Sequence, residues 1–380
     1  MTTIHAVFCN AMGPGGVAYT LTELLDAMPV SDLSRQLWFP QGDASITRGY
    51  HRPIFNRQIW RAICKARVPT SWQGWAVTKA ALRNIREGDV VYVWPPYSYA
   101  LIAAARSRGA IVVAERINCM GSASKIVLER AYAHIGQPLP KGWCTPDGIA
   151  EEQAQMALCN YVTAPNPMVV QSLLDAGIPA GRILETSYGW SPTRLARALN
   201  VARPDRKPTF AFVGLGIIRK GLNLLLEAWE RADIDGRLLI AGNLGDDVRE
   251  VSRRQLALPS VEQLGFVRDI SNVYAAADVF VFPSHEEGGP QVTYEAAACG
   301  LPSIVSSMGA GRIVRNEMEG YVVDPFDIDG WMYAIRTMAS EPTLRRDLGL
   351  AASRRATLFT WQQVGKRLYD LLVNAARDRP

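Results

Sequence analysis

The chain has 380 residues, of which 48% are hydrophobic and 20% are charged, and its formal net charge is +5. This composition excludes a disordered or fibrous chain, and the length predicts two domains because a single hydrophobic core rarely grows so large. No apolar run reaches the roughly eighteen residues of a membrane-spanning helix, the start lacks a basic signal-peptide region, and the cysteines stand singly. We therefore expect a protein of the reducing cytoplasm.

The first half of the chain alternates short apolar runs with helical patterns, as parallel α/β proteins do. IHAVFCNA, DVVYVWPP and AIVVAERI are predicted strands, and YALIAAARSRG is a predicted helix that ends at Gly109. The alternation continues through LCNYVTAPNPMVVQSLLDAGIPAGRILETSYG. We predict a Rossmann-like domain over residues 1–190 and a polar, proline-bearing linker over residues 191–207.

A glycine-rich turn, GPGGVA, follows the first predicted strand at residues 13–18. It fits the G-x-G-x-x-A form of a dinucleotide site, but LSRQLWFP, about twenty residues onward, lacks the acidic residue that such a site uses. Two interpretations stay open. Gly15 and Gly16 let backbone N–H groups approach an anion at a helix start, or the turn only joins a strand to a helix.

The stretch from residue 44 to residue 86 is basic and contains no Asp or Glu. Within it, IFNRQIWRAICKAR places Phe55, Ile59 and Ile63 four residues apart, with basic residues on the opposite side. One interpretation is contact of residues 48–86 with an anionic membrane surface, and the other is a helix packed on the first domain with a solvated basic face. Nucleic acid is not expected, because no recognised binding module accompanies the charge. The basic residues are Arg48, Arg52, Arg57, Arg61, Lys65, Arg67, Lys79, Arg83 and Arg86.

The second half repeats the strand and helix alternation. TFAFVGLG is a predicted strand that enters a glycine turn at Gly214, and KGLNLLLEAWERA is a predicted amphipathic helix. RLLIAGN, VEQLGFV, DVFVFPS and PSIVSS are further predicted strands, and the chain closes with an amphipathic helix over about residues 361–380. We predict a second doubly wound domain over residues 208–360, which faces the first across a cleft.

Two cations, Arg219 and Lys220, stand at the mouth of the Gly214 turn, just before a helix. Such crowding of charge is costly unless an anion lies there, so the pair predicts a phosphate site at the carboxyl edge of the sheet. A solvated basic pair on the surface is the alternative.

The stretch HEEGGPQVTYEAAACGLPSIV has carboxylates on both sides of a glycine turn and a helix start. Pro290 suits the first turn of a helix, and the N–H groups around Gly288 and Gly289 attract a phosphate oxygen. Glu287 and Glu295 are able to accept hydrogen bonds from sugar hydroxyls. The alternative makes Glu287 a helix-dipole partner and Glu295 a surface residue.

The segment FPSHEEGGPQVTYEAAACGLPSIVS resembles the E-x7-E signature of the family 4 type of retaining glycosyltransferases with the GT-B fold, the glycosyl transferases group 1. FVGLGIIRKGLNLLLEAW and LGFVRDISNVYAAADVFVFPS are similar to other segments of that family. The resemblance extends over about residues 155–365 and is weak in about the first 150 residues. It implies an α/β fold of two Rossmann-like doubly wound domains that face a cleft.

The resemblance also implies roles for the residues of these motifs. Glu295 would bind the ribose hydroxyls of a nucleotide, and Glu287 would bind the transferred sugar. Lys220, with Arg219, would neutralise the departing nucleoside diphosphate. The predicted donor-binding set also contains Gly15, Gly16, Gly214, Val267 (near the base), Gly288, Gly289 and Pro290.

The implied function is transfer of a hexose-type sugar from a UDP- or GDP-sugar to a glycan or lipid-linked acceptor, with retention of configuration, in bacterial polysaccharide or glycoconjugate biosynthesis. The first domain would bind the acceptor, and the last helix would pack back on that domain. The protein would be cytoplasmic, either free or peripheral on the inner face of the cell membrane, and no cofactor beyond the donor is implied.

The sequence departs from the family pattern at two places. Leu215 stands where many relatives have an arginine, so Arg219 is expected to substitute, and Met120 stands where relatives often have a histidine. No metal is expected, because the pairs Asp233/Asp235 and Asp327/Asp329 suit helix caps and turns. The open alternatives are a nucleotide-sugar epimerase on the same scaffold, an NAD-dependent Rossmann enzyme, and a binding module without chemistry.

Overall fold

The computed structural model describes residues 2–13, 15–29, 33–41, 48–199 and 207–377. Its first half forms a parallel sheet of seven strands in the order β3-β2-β1-β4-β5-β6-β7. We call this sheet and its helices the first lobe. The strands are β1 (Thr3–Phe8), β2 (Ser34–Phe39), β3 (His51–Pro53), β4 (Val90–Trp94), β5 (Ile111–Ala114), β6 (Tyr161–Ala164) and β7 (Ile183–Glu185).

The second half forms a parallel sheet of six strands in the order β10-β9-β8-β11-β12-β13, which we call, with its helices, the second lobe. The predicted fold class, an α/β protein with two doubly wound sheets, is confirmed. The strands are β8 (Thr209–Val213), β9 (Arg237–Ala241), β10 (Val261–Gly265), β11 (Val279–Phe282), β12 (Ser303–Val305) and β13 (Gly320–Val322).

Helices connect the strands of both sheets. Those of the first lobe are α1 (Gly16–Asp26), α2 (Arg57–Lys65), α3 (Thr70–Leu82), α4 (Tyr99–Ser107), α5 (Gly121–His134), α6 (Pro146–Leu158) and α7 (Pro167–Asp175). The later ones are α8 (Leu222–Ala232), α9 (Asp246–Val251), α10 (Arg253–Leu256), α11 (Ser271–Ala276), α12 (Gln291–Ala298), α13 (Ser307–Ala310), α14 (Ile328–Ser340), α15 (Pro342–Ala356) and α16 (Trp361–Arg377).

The central strands are buried along their whole length, which explains why they are continuous apolar runs. Every residue of β4, β8 and β11 is buried, because helices cover both faces of a parallel sheet. Helix α8, the predicted amphipathic helix, buries Leu222 and Trp229 and also buries Leu224 and Ala228. The buried side chains therefore cover more of the circumference of α8 than a single face.

The last helix returns to the first lobe. The backbone N–H groups of Trp190 and Trp361 donate to the carbonyls of Phe359 and Trp190 at 3.1 and 3.2 Å, which ties the two chain crossings together. Along α16, a Cβ added at Gly365 would lie 2.5 Å from the Cβ of Ala27, at the end of α1. Close packing of α16 on α1 thus depends on a glycine. Residues 200–206 of the predicted linker and 378–380 of the predicted last helix fall outside the described residues, and the predicted domain limits stay a prediction.

Two local predictions need correction. Pro290 precedes α12 as its N-cap residue, rather than standing in the first turn, because its ψ of 77° is outside the helical range and the helix begins at Gln291. The apolar face predicted for α2 is only partly covered, since Ile63 is buried whereas Ile59 is 49% exposed. Phe55 turns instead to Trp72, with ring centroids 5.6 Å apart. Over the described ranges, no helix combines the length and the apolar character that crossing a membrane requires.

Candidate functional site

The candidate site lies where the carboxyl ends of β8 and β11 meet, at the point where the order of the second sheet reverses. Ligands of doubly wound proteins bind at this position. After β8 the chain enters the turn at Gly214 and a short 3-10 turn over Ile218–Lys220. After β11 it continues directly into His285, Glu286 and Glu287.

Each of the two predicted phosphate-binding cations already has a carboxylate partner. The Nη1 atom of Arg219 lies 2.9 Å from Oε2 of Glu286, and Nζ of Lys220 donates to Oε1 of Glu287. The side chains of Arg219 and Lys220 are only 21% and 14% exposed, so they are not a solvated surface pair. In this structure, Glu286 and Glu287 therefore supply the negative charge that balances Arg219 and Lys220.

The ammonium of Lys220 stands in an environment that disfavours its charge. Burial, followed by the neighbouring Arg219, lowers its pKa well below the ordinary value, and Glu286 opposes that shift. The Nζ atom also lies 5.2 Å from the ring centroid of Phe282, at the end of β11. A doubly charged ligand at this place would favour the charged form of the lysine.

Glu286 joins the second lobe to the first. Its Oε1 accepts a hydrogen bond from the backbone N–H of Cys119 at 3.2 Å, and its Oε2 accepts one from the side chain of Asn118 at 3.3 Å. No role was predicted for this residue, which is 1% exposed and contacts Arg219. A role was predicted for the adjacent Glu287 because it is the first glutamate of the E-x7-E motif.

Gly288 and Gly289 lie where the second lobe packs against residues of the first half of the chain. A Cβ at Gly288 would lie 1.9 Å from the carbonyl oxygen of Ile117, and a Cβ at Gly289 would lie 2.3 Å from the ring of Tyr188. Both distances are shorter than any real contact, so only glycine fits at either position. The glycine turn therefore forms a contact between the two lobes.

Glu295 is a buried acceptor with three partners, so the interpretation of it as a surface residue is wrong. It is 1% exposed, and its carboxylate meets Gln291 at 2.9 Å, Tyr274 at 3.0 Å and Arg194 at 3.2 Å. Burial raises its pKa, while Arg194, Gln291 and Tyr274 oppose the shift. Arg194, on the segment after β7, is a second residue of the site that no sequence motif indicates.

The start of α1 lies beside the start of α12. The hydroxyl of Thr20, in the first turns of α1, donates to Oε1 of Gln291 at 3.4 Å. A Cβ placed on Gly15 or on Gly16 would meet no atom within 4 Å, so open space lies above this helix start. The starts of two helices thus lie side by side, and the positive ends of their dipoles favour an anion there.

The other predicted donor-binding positions lie farther along the same edge. A Cβ at Gly214 would be 3.6 Å from the ring of Phe282, which places the turn beside Lys220. Val267 follows β10, two residues before Asp269, whose carboxylate pairs with Arg197 at 3.0 Å. Val267 is therefore at the outer end of the edge.

A cavity of about 300 Å³ opens in the first lobe, beside the residues that hold Glu286. The only cation among its lining residues, Arg116, is neutralised by Glu152 at 2.7 Å and donates to the carbonyls of Asn118 and Cys119 at 3.2 and 2.6 Å. The lining residues are Arg116, Asn118, Cys119, Gly121, Ser124, Gly142, Cys144, Thr145, Gly148, Ile149 and Glu152.

Two further buried titratable groups adjoin the cleft. Glu115 follows β5 and accepts hydrogen bonds from the hydroxyls of Tyr92 (2.5 Å), Tyr188 (3.2 Å) and Thr163, and burial raises its pKa to about 7. His285 packs on Phe326 with centroids 4.7 Å apart, and burial lowers its pKa to about 4, so its ring is neutral at physiological pH. Neither ring nitrogen of His285 has a hydrogen-bond partner among the described residues.

The comparisons with known proteins agree with this geometry. Residues 207–341 match the model of a family described as glycosyl transferases group 1. The likeness to this family thus lies in the second half of the chain. A D-inositol 3-phosphate glycosyltransferase of Xylanimonas cellulosilytica is 28% identical over 220 residues, which are 53% of this chain and 52% of that protein. The chain thus spans about half the length of the curated relative.

Solved structures extend the likeness to the first lobe. A sucrose-phosphate synthase from Thermosynechococcus elongatus superposes with a TM-score of 0.74 at 18% identity, over 98% of this chain and 99% of that one. The Anabaena protein Alr3699/HepE, in complex with UDP and glucose, gives a TM-score of 0.66 at 16% identity, over 98% and 100% of the two chains. The predicted GT-B fold is confirmed, and the predicted resemblance to the glycosyl transferases group 1 is confirmed over residues 207–341.

One residue of each Asp-x-Asp pair lies at a helix end. Asp327 accepts a hydrogen bond from the N–H of Gly330 at 2.9 Å as the N-cap of α14, as predicted, and Asp233 follows the last residue of α8. Among the described residues, no three or more His, Cys, Asp or Glu side chains form a group that would hold a metal ion.

Proposed function

We propose that the chain is a retaining hexosyltransferase that uses a nucleoside diphosphate sugar, of UDP or GDP, and acts on a glycan or lipid-linked acceptor in bacterial glycoconjugate biosynthesis. One observation supports this most directly. Two partly buried cations, Arg219 and Lys220, pair with the glutamates just before α12, whose start lies beside that of α1, at the sheet edge where ligands bind in doubly wound folds. The relative that binds UDP and glucose has the same fold.

In the proposed mode of binding, each group has one task. Lys220 and Arg219 exchange their carboxylate partners for the diphosphate, whose charge is further bound by N–H groups near Gly15, Gly16, Gly288, Gly289 and Pro290. Glu287, released from Lys220, accepts hydroxyls of the transferred sugar. Glu295 accepts hydroxyls of the ribose, while the backbone near Val267 and the Gly214 turn border the rest of the nucleotide.

In the proposed reaction, the bond between the anomeric carbon and the diphosphate oxygen breaks as the acceptor oxygen bonds to the same face of that carbon. The acceptor proton passes to the departing diphosphate oxygen, so no protein base is required. Negative charge grows on the diphosphate as its bond breaks. Lys220 and Arg219 therefore stabilise the transition state more than the ground state, which is the requirement for catalysis.

We place the acceptor in the first-lobe cavity. Its wall contacts Glu286 through Asn118 and Cys119, so the cavity adjoins the glutamates of the donor site. Because Arg116 is already neutralised by Glu152, a neutral polyhydroxyl group suits the cavity better than a phosphate does. Filling the cavity with Ile149→Phe should raise the acceptor KM and leave the affinity for nucleotide unchanged. A lower nucleotide affinity with an unchanged acceptor KM would contradict this placement.

We also propose that residues 48–86 contact an anionic membrane surface. Trp72 and Trp75 are 44% and 56% exposed, Ile59 is 49% exposed, and basic residues surround them in a stretch without acidic side chains. Exposed indoles with cations favour the interface of an anionic bilayer. Vesicles of phosphatidylserine should bind the protein at low salt, and Trp75→Ser should weaken that binding. Equal binding to neutral vesicles would contradict the proposal.

The decisive test of the transferase proposal is a screen of ligands and products. UDP or GDP should raise the melting temperature, and NAD should not, because the acidic residue of an NAD site is missing. A UDP-, GDP- or ADP-sugar should then be hydrolysed slowly in the absence of acceptor, with release of the nucleoside diphosphate. Formation of an epimeric sugar without cleavage would favour an epimerase, and stabilisation by NAD alone would favour a Rossmann oxidoreductase.

A further inference from the structure

The carboxylate of Glu295 has little capacity left for a ligand. Its Oε1 accepts from Nε2 of Gln291 at 2.9 Å and pairs with Nε of Arg194 at 3.2 Å, and its Oε2 accepts from the hydroxyl of Tyr274 at 3.0 Å. A carboxylate oxygen has two lone pairs and so accepts two hydrogen bonds, which means that Oε1 is saturated and Oε2 is able to accept one more. Two vicinal hydroxyls of a ribose would need to donate two hydrogen bonds.

Of these three partners, Arg194 is the one that a ligand can displace. Gln291 is held on the same helix, one turn before Glu295, and Tyr274 is fully buried. The side chain of Arg194 is 40% exposed and comes from the segment after β7, outside any helix or strand. A partly exposed ion pair of this kind is weak, because solvent screens it and the long side chain loses rotamer freedom.

Arg194 also has interaction partners other than Glu295. Its guanidinium carbon lies 5.0 Å from the ring centroid of Tyr19, on α1 of the first lobe. Glu23, one turn farther along α1, also interacts electrostatically with Arg194. A guanidinium that leaves Glu295 therefore keeps an aromatic face and an acidic neighbour, which lowers the cost of its displacement.

We infer that Arg194 is a specificity-determining residue of the nucleotide site, because it competes with the ligand for Glu295 and only a ligand with two vicinal hydroxyls displaces it. This inference rests on the proposed function, in which Glu295 binds the ribose. A ligand with one hydroxyl uses the free position on Oε2 and leaves Arg194 in place. Arg194 thus reduces the advantage that a ribonucleotide has over its deoxy counterpart.

For Arg194→Ala we therefore expect the affinity for the ribonucleotide to change in one direction only. The ribonucleoside diphosphate no longer displaces an ion pair, so it should bind about two- to fivefold more tightly. The 2′-deoxy and 3′-deoxy analogues never displace that pair, so their affinity should stay within about a factor of two of the wild-type affinity. Removal of a positive charge would by itself weaken the binding of every diphosphate, which is the opposite sign.

The experiment is calorimetric titration of the full chain with UDP or GDP, whichever binds the wild type more tightly, and with the two deoxy forms. Arg197→Ala is the matched control, because Arg197 lies three residues farther along the same segment, is 71% exposed and pairs with Asp269 instead. Arg194→Met, which keeps an apolar stem against Tyr19, serves as the second variant.

The expected result is tighter binding of the ribonucleotide alone, in both Arg194 variants and not in Arg197→Ala. Weaker binding of all three ligands by the Arg194 variants would overturn the inference, because Arg194 would then be a direct contact. Equal changes in the Arg194 and Arg197 variants, or no change, would also overturn it. If the wild type binds none of the diphosphates, the proposed function itself fails, which is a distinguishable outcome.

Discussion

The two walls of the cleft stabilise buried carboxylates by different means. In the second lobe, Glu286, Glu287 and Glu295 each face a cation, whereas in the first lobe Glu115 is surrounded by the hydroxyls of Tyr92, Tyr188 and Thr163. The cation of an ion pair can exchange its carboxylate partner for a charged ligand. At Glu115, burial outweighs the hydroxyls and raises its pKa to about 7.

This difference in the partners of the carboxylates gives the two walls different roles. The charged wall is suited to exchange partners with a diphosphate sugar, while the hydroxyl-lined wall holds the frame on which the turn at Gly289 rests through Tyr188. Variants on the charged wall should therefore change turnover and binding, and variants on the other wall should change stability and its pH dependence.

The largest effect is expected from Lys220→Ala, which removes the proposed stabiliser of the departing diphosphate. Loss of one prepositioned charge should lower kcat by about 10²–10³-fold while the affinity for nucleotide changes much less, because the charge matters most in the transition state. Steady-state kinetics of sugar transfer measure this. Lys207→Ala, at a lysine that is 65% exposed and pairs with Asp235, is the control. A kcat within threefold of the wild type would remove Lys220 from the proposed mechanism.

Glu295→Ala should weaken the binding of the nucleoside diphosphate by about 10–100-fold, since hydrogen bonds to a charged group contribute about 1.5–3 kcal/mol. Calorimetric titration measures the change. Glu262→Ala, at an exposed glutamate that pairs with Arg237, should leave the affinity unchanged. Equal affinities in both variants would show that Glu295 has no part in binding the nucleotide.

Gly288→Ala tests the contact between the walls directly. The added Cβ would lie 1.9 Å from the carbonyl oxygen of Ile117, so the lobes must separate, and a loss of about 1–3 kcal/mol in the free energy of unfolding is expected. Gly181→Ala is the control, because a Cβ there meets no atom within 4 Å. Denaturant titration compares the two variants, and equal stability would contradict the close approach.

The smallest effect is expected from Glu115→Gln and depends on pH. The pKa of Glu115 is about 7 in the folded chain against 4.5 as its ordinary value, so between these pH values the folded state keeps a proton that the unfolded state loses. This group therefore lowers the stability as pH rises from about 4.5 to 7.

Glu115→Gln removes that dependence, so its melting temperature relative to the wild type should be about 2–4 °C higher at pH 8 than at pH 5. Thermal melts of both proteins at the two pH values measure the difference. The charges and hydroxyls that face this carboxylate are Arg116, Tyr92, Tyr188 and Thr163, and the variant leaves them in place. The same difference at both pH values would show that Glu115 does not titrate in this range.

Much of the fold could be predicted because its signals are local. The runs VVYVW and TFAFV are buried on both faces, so they are apolar throughout and recognisable without their neighbours. The short edge strand β3 had no such signal and was missed. Pro290 was placed one position too far into α12, because a proline is compatible with both the cap and the first turn.

The sequence by itself determined the α/β class, the two sheets and the acidic motif that contains Glu287 and Glu295, since these depend on periodicity and on spacing within one segment. Only the tertiary structure decided what those groups face. Arg194 meets Glu295 across 101 residues of chain, and Cys119 meets Glu286 across 167. Such pairs arise from how the lobes close on each other, and the energy of a charge depends on its burial and its partner, neither of which a single segment encodes.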